Sequence, residues 1–337
     1  MKKVILLFLF AIVSTYAQDS SEMVSFEGKI ANRNSDSIVV SSGRNFGKTI
    51  KLNKKGEFKD AFEIPAAGLF QIFDGTEATL VYLKSGYNLK LTMDAKKFDE
   101  SIVYSGNGSK ENNYLAKKAL SDEAFGIVAE DLMKEDQAGF TRGLNKKKES
   151  DLANLSSADI DADLVALLNP MIEQDAKMFA QYYGQKLEAS KMAGTSFPSF
   201  SFENHKGGMS KISDFKGKLV YIDVWATWCG PCRAEIPFLK KAEEKYKGKN
   251  IEFVSISIDS KKDYDKWKKF VIDKKLGGVQ LIAENDWNSD LVKALKISGI
   301  PRFILVDVEG NIMIADAPRP SSEAFNSALD ELLNYKG

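Results

Sequence analysis

The chain has 337 residues, with 47 Lys and Arg balanced by 47 Asp and Glu, so its formal net charge is zero. That length is too great for one core and predicts two or three domains. Balanced charge gives no global field to attract nucleic acid or an anionic membrane, and 44% hydrophobic with 28% charged residues is an ordinary globular composition.

The chain begins MKKVILLFLFAIVSTYAQDS. Lys2 and Lys3 supply a charged start, Val4 to Val13 is an apolar run of ten residues, and Thr15 and Ala17 are small residues placed for cleavage after Ala17. This pattern predicts a secretory signal peptide over residues 1–17. The alternative, an uncleaved anchor, is disfavoured because a span needs about 20 apolar residues. No cysteine stands near the cleavage site, which excludes lipid attachment there. No other stretch approaches transmembrane length, so the mature protein is expected to be exported or periplasmic, with no stable membrane span.

Residues 22–105 predict a β-rich domain. FEGKI, DSIVVSS, KTIKLN, EFKDAFEI, GLFQIFD, ATLVYLK and NLKLTMD alternate with turn signals such as NKKGE and DGTE. Short strands at this spacing suggest an antiparallel sandwich or barrel. No Ser/His/Asp set, metal cluster or phosphate loop is visible in them. Residues 109–190 predict helices, with apolar residues at three- and four-residue intervals in NNYLAKKAL, AFGIVAEDLM and ADLVALLNPMIEQDAKMFAQYYG. They read as a helical connector with a small core of its own. The run Lys146–Lys148 is a solvated helix face and not a phosphate site.

From about Gly194 strands and helices alternate: a short strand pair around FPSFSF, LVYIDVWA, a helix from CRAEIPFLKK, IEFVSISID, a helix from DYDKWKKF, GGVQLIA, a helix from WNSDLVKALKI, a hairpin FILVDVEG/NIMIADA and a closing helix. Such alternation implies an α/β sheet covered on both faces.

Both cysteines of the chain lie in one pentapeptide, WCGPC, residues 228–232. A structural staple closing so short a loop adds little stability, because loop-closure entropy grows with loop length. A zinc site needs four ligands, and two Cys with the single His205 fall short. No metal is therefore expected, and His205, in the polar turn ENHKGG, reads as exposed. A buried strand running into TWCGPC and then a helix sets Cys229 at a helix N-terminus. There unpaired N–H groups and the macrodipole favour the reactive thiolate. Pro231 fits the first helical turn. Cys229 can attack a disulfide, and Cys232, one turn on, can resolve the mixed disulfide.

WATWCGPCRAEIP, together with the preceding SDFKGKLVYIDV and the later ISGIPRFILVDVEGNI, resembles the thioredoxin-like family, specifically exported TlpA/ResA-type thiol–disulfide oxidoreductases. The resemblance covers residues 195–337, and the β-rich region resembles, more loosely, an N-terminal domain of unknown function fused to such modules. It implies a thioredoxin-like α/β fold whose only redox group is the Cys229–Cys232 disulfide, with no separate cofactor. It implies that Pro301 is the family's cis-proline, and that Ile300 pairs with an extended substrate chain. It matches Asp223, the one charge in LVYIDVWA, to a buried acid of raised pKa that takes a proton from Cys232. Glu235 matches a glutamate with an acid–base role, the alternative being a plain helix residue. Trp228 is expected to shape the docking surface, and Trp225 to lie in the core. Arg302 departs from the small polar residue usual after the cis-proline. It can stabilise the Cys229 thiolate, recognise an acidic substrate, or point away.

The expected partners are protein thiols and disulfides. CGPC matches reducing thioredoxins, so by analogy the protein reduces substrate disulfides and is recharged by an external electron donor. The same residues allow two other readings. A peroxiredoxin-like thiol peroxidase needs a Thr three residues before its reactive Cys, where this chain has Ala226, with Thr227 one residue too late. The other is a non-enzymatic binding protein with a fused thioredoxin-like module.

Overall fold

The computed structural model describes residues 23–283 and 285–334; the signal peptide expected at residues 1–17 lies outside them. The chain divides between Ala180 and Gln181 into two units.

In the first unit, alternation of buried and open positions, complete in the first and seventh strands, builds strands. They are β1 (Val24–Ala31), β2 (Ser37–Ser42), β3 (Phe46–Lys51), β4 (Glu57–Phe62), β5 (Gly68–Phe73), β6 (Ala78–Leu83), β7 (Asn88–Asp94) and β8 (Val103–Asn107), with a short helix α1 (Phe98–Ser101) before the last. They form two four-stranded sheets, ordered β4-β1-β7-β8 and β3-β2-β5-β6. Phe26, Phe58, Leu89 and Leu91 of the first meet Val40, Phe70, Ile72 and Val81 of the second in one core. Each such side chain, fully buried, stabilises the fold by roughly 1.5–3 kcal/mol.

Two features depart from the sequence reading. β1 and β7 are parallel, pairing Phe26 with Leu89 and Gly28 with Leu91. Between them the chain visits the second sheet twice, through β2 and β3 and again through β5 and β6, with β4 of the first sheet in between. Gly28 permits this close approach, since a Cβ there would lie 2.4 Å from the Leu91 carbonyl oxygen. An eighth strand, VYSGN, follows the seven that the sequence suggests, and β7 supplies its hydrogen bonds.

The helices are α2 (Ser109–Leu132), α3 (Gln137–Ser156) and α4 (Ala162–Ser190). They are not wholly separate from the sheets: Leu115, Leu155, Leu164, Leu168 and Ile172 join the sandwich core. Further along, Phe179 packs against Phe125 and Phe140 at 5.8 and 5.4 Å. Two consecutive asparagines tie α2 to the sheets. Asn112, fully buried, accepts from Tyr82 N–H at 2.7 Å and donates to the Tyr82 carbonyl at 2.9 Å, on edge strand β6. Asn113 does the same to Tyr104 on β8, the edge of the other sheet, with both bonds at 2.8 Å. The opposite edges, β3 and β4, face each other through the Lys48–Asp60 ion pair at 2.9 Å and the Phe46–Phe62 contact at 6.2 Å.

The second unit holds β9 (Phe202–Asn204), β10 (Met209–Ser210), β11 (Leu219–Trp225), α5 (Gly230–Lys245), β12 (Ile251–Ser257), α6 (Tyr264–Asp273), β13 (Val279–Ile282), α7 (Asp290–Ala294), β14 (Arg302–Val306), β15 (Ile312–Ile314) and α8 (Glu323–Asn334). One seven-stranded sheet runs β10-β9-β13-β12-β11-β14-β15. β11, β12 and β13 are parallel, and β14 is antiparallel to β11. All seven residues of β11 are buried, as expected for a central strand covered on both faces. On one face Tyr221, Phe253 and Phe303 pack on Leu239 of α5 and Phe325 of α8. On the other, Ile222, Val254 and Ile304 pack with Trp267 of α6 and Leu291 of α7. The strand pair expected around FPSFSF, with its turn at NHKGG, forms as β9 and β10, although β9 begins only at Phe202. Before them Ser196 makes an isolated bridge to Asn311.

Candidate active site

β11 delivers the chain to the loop Ala226–Thr227 and then to α5. The loop is anchored by Asp259, which is fully buried just beyond β12. Thr227 donates to its carboxylate through N–H at 2.9 Å and through its hydroxyl at 2.7 Å, and Ser257 Oγ donates at 2.7 Å. The one sequence signal for Asp259 is an acid closing the buried strand SISID.

Cys229 is the N-cap of α5, and Pro231 lies in its first turn. The two cysteines are joined as a disulfide, and both are buried. The Cys232 N–H donates to Cys229 Sγ at 3.1 Å. On reduction this bond and the helix N-terminus together favour charge on Cys229. The Ile300–Pro301 peptide is cis, and the Ile300 carbonyl oxygen lies 3.7 Å from Cys229 Sγ. Cys229, Cys232, Ile300 and Pro301 thus meet at one point, although residues 229 and 300 are far apart in sequence.

Asp223 lines a cavity of about 10 Å³ bounded also by Trp225, Lys240, Glu243, Ser255 and Gln280, room for about one water. Its Oδ1, Trp225 Nε1 and Gln280 Oε1 are buried without a protein hydrogen-bond partner. Burial, then the negative charges of Glu235 and Glu243, push the Asp223 carboxyl up to about 8. Burial raises Glu243 as well. Glu235 is buried rather than on the helix surface, and it accepts from Ser321 N–H at 3.0 Å and Ser321 Oγ at 2.7 Å. Ser321 precedes α8 and is 86 positions away, beyond the reach of any local pattern.

Trp228 is 42% exposed beside the disulfide, and its ring centroid lies 6.1 Å from that of Trp287, which is 38% exposed. Trp225 is buried and packs on Phe270 at 5.5 Å. The Arg302 guanidinium engages Asp316 at 3.3 Å and is itself buried. His205 is half-buried and not exposed: its ring meets Trp267 at 5.5 Å, and Nε2 lies 3.1 Å from the Lys268 carbonyl oxygen. Among the described residues no group of three or more His, Cys, Asp or Glu side chains could hold a metal ion.

Residues 192–332 match the family described as Redoxin. The chain is similar to the thiol–disulfide oxidoreductase ResA of Bacillus thuringiensis subsp. konkukian, 29% identical over 144 residues, covering 40% of this chain and 76% of that protein. ResA of Bacillus subtilis is 28% identical over 121 residues, covering 36% of this chain and 64% of that protein. Among solved structures it is similar to the thioredoxin domain of a thiol–disulfide oxidoreductase from Bacteroides vulgatus. That match is 30% identical with a TM-score of 0.38, over 42% of this chain and 98% of that one.

Proposed function

Because residues 192–332 make this chain a thiol–disulfide oxidoreductase of the TlpA/ResA type, we propose that it works outside the cytoplasm and reduces the disulfides of other exported proteins. The observation that carries the reading is Cys229 capping α5 with the Cys232 N–H on its sulfur.

The Cys229 thiolate attacks one sulfur of a substrate disulfide. The substrate S–S bond breaks, a mixed disulfide forms, and one substrate sulfur leaves as a thiolate that takes up a proton. Cys232 gives its proton to Asp223 and attacks Cys229 Sγ. The second substrate sulfur leaves and is protonated, and the Cys229–Cys232 disulfide forms. Two electrons pass to the substrate. Asp223 takes that proton in its ionised form, which burial makes the minority at neutral pH, and ends protonated, so this step speeds up as pH rises toward about 8. Glu235, fixed by Ser321, is assigned the electrostatic partner of that acid. Ile300 and Pro301 form the edge on which the substrate chain lies, and Trp228 contacts it. The chain has no third cysteine, so an external donor returns the electrons.

Export rests on the leader pattern at residues 1–17. Among the described residues no helix is long and apolar enough to cross a membrane. Cell fractionation tests this reading: recovery of the mature chain with the cytoplasmic proteins overturns it.

The direction of electron flow is tested by equilibrating the Cys229–Cys232 couple in glutathione and dithiothreitol buffers. A potential near or below about −250 mV is expected, whereas one of about −120 to −180 mV places the protein with oxidants or isomerases.

A further inference from the structure

Large aromatic side chains standing open to solvent in adjacent pairs call for an explanation, because apolar surface is ordinarily withdrawn from water. Trp228 and Trp287 are such a pair, tilted at 49° with centroids 6.1 Å apart. Trp287 is not on a frayed loop. It sits in a single turn, Asp286–Asn288, closed by Asn288 N–H to the Asn285 carbonyl at 2.9 Å and Ser289 N–H to the Asp286 carbonyl at 3.1 Å. Asn285 and Asp286 both hold positive φ, 74° and 54°, a conformation that residues other than glycine rarely adopt. Ser289 then caps α7, whose Leu291 and Val292 are buried in the core below. The backbone is bent into an uncommon shape, and the side chain it presents is a tryptophan facing the ring of Trp228, the residue before Cys229.

We propose that Trp228 and Trp287 form a shelf that selects substrates carrying an apolar or aromatic side chain two residues from the attacked cysteine. The inference rests on thiol–disulfide exchange at Cys229 and not on the direction of electron flow. Its occupant follows from that chemistry. A substrate sulfur must come within bonding distance, about 2.05 Å, of Cys229 Sγ, which is buried. Trp228 adjoins Cys229, so a chain that delivers its sulfur passes over the shelf. In an extended chain, the side chain two residues from the attacked cysteine stands on the same face about 6.6 Å along, within reach of a ring carried by the residue next to Cys229. A side chain at that position is removed from water against two indoles, an arrangement that concentrates binding energy in few residues.

The test uses the reduced Cys232→Ser protein, in which only the first attack occurs. It is mixed with hydroxyethyl disulfide and with two short peptides, each linked to glutathione through one cysteine. The peptides are identical except for Phe or Ser two residues from that cysteine. Second-order rates of mixed-disulfide formation are measured with Trp287 present and in Trp287→Ala and Trp287→Phe variants. With Trp287, the Phe peptide is expected to react about tenfold faster than the Ser peptide, and Trp287→Ala to cut that preference to about twofold. Trp287→Phe keeps most of the preference, and the hydroxyethyl disulfide rate is the same in all three proteins. An unchanged preference in Trp287→Ala overturns the proposal. So does an equal fall with all three disulfides, which would make Trp287 a prop for the site. A potential in the oxidant range overturns the reductant reading and leaves these rates untouched.

Discussion

Asn112 in the first unit and Asp223 in the second are both polar side chains under closely packed apolar cores, and they are treated in opposite ways. Asn112 makes three hydrogen bonds to backbone groups of Tyr82 and Gly108. Asp223 keeps one oxygen without a protein partner, and its pKa is raised to about 8. A buried polar group with every bond satisfied holds structure together. One left short of partners costs stability, and here it lies in the redox domain close enough to Glu235 to feel its charge. Between these two residues it is hydrogen-bond satisfaction, and not burial, that differs.

The largest expected effect tests the sign of that contrast. A carboxyl whose folded pKa exceeds its unfolded value binds more protons in the native state, so stability falls as pH rises from about 4 to about 8. Asp223→Asn should abolish this slope and raise stability at pH 7 by about 4 kcal/mol, read from urea denaturation at several pH values. In single-turnover experiments it should also slow the attack by Cys232. A variant less stable than the parent at neutral pH would break the comparison.

Asn112→Ala should act in the other direction, losing about 3 kcal/mol because the Tyr82 N–H and carbonyl are left buried. All four tryptophans lie in the second unit, so circular dichroism should record this loss more strongly than tryptophan fluorescence. Asn113→Ala makes a finer comparison. Its site on Tyr104 is only part-buried, so water can replace the amide, and about 1 kcal/mol is expected by the same measurement. The smallest effect is that of Ser321→Ala. Removing one hydroxyl from Glu235 should cost somewhat under 1 kcal/mol, because the Ser321 N–H bond remains. A shift in the pH profile of the Cys232 step would show that the pair also tunes Asp223.

What could be read from sequence follows what is local. WCGPC, the strand before it and the helix after it form one continuous segment, and Asp223 stood out as the only charge in an apolar run. The cis peptide at Pro301 came through family resemblance and not from spacing. The partners of these residues were not visible, because Asp259, Ser321 and Trp287 reach the site through folding. Asn112 and Asn113 read as an ordinary polar stretch of helix until two sheet edges are placed beside them. The parallel pairing of β1 and β7 was hidden for the same reason: alternation fixes which face of a strand is buried but not which strand lies next to it.

The four edges of the sandwich carry one more consequence. An open strand edge is a template on which a second molecule can add its own strand. Here two edges are occupied by amide side chains from α2, and the other two are closed toward each other by Lys48, Asp60, Phe46 and Phe62. Before α2 docks, the β6 and β8 edges lack those amides, so a nascent or refolding chain is most prone to self-association in that interval. Crowding should therefore lower the yield of refolded protein by acting at the step that seats Asn112 and Asn113.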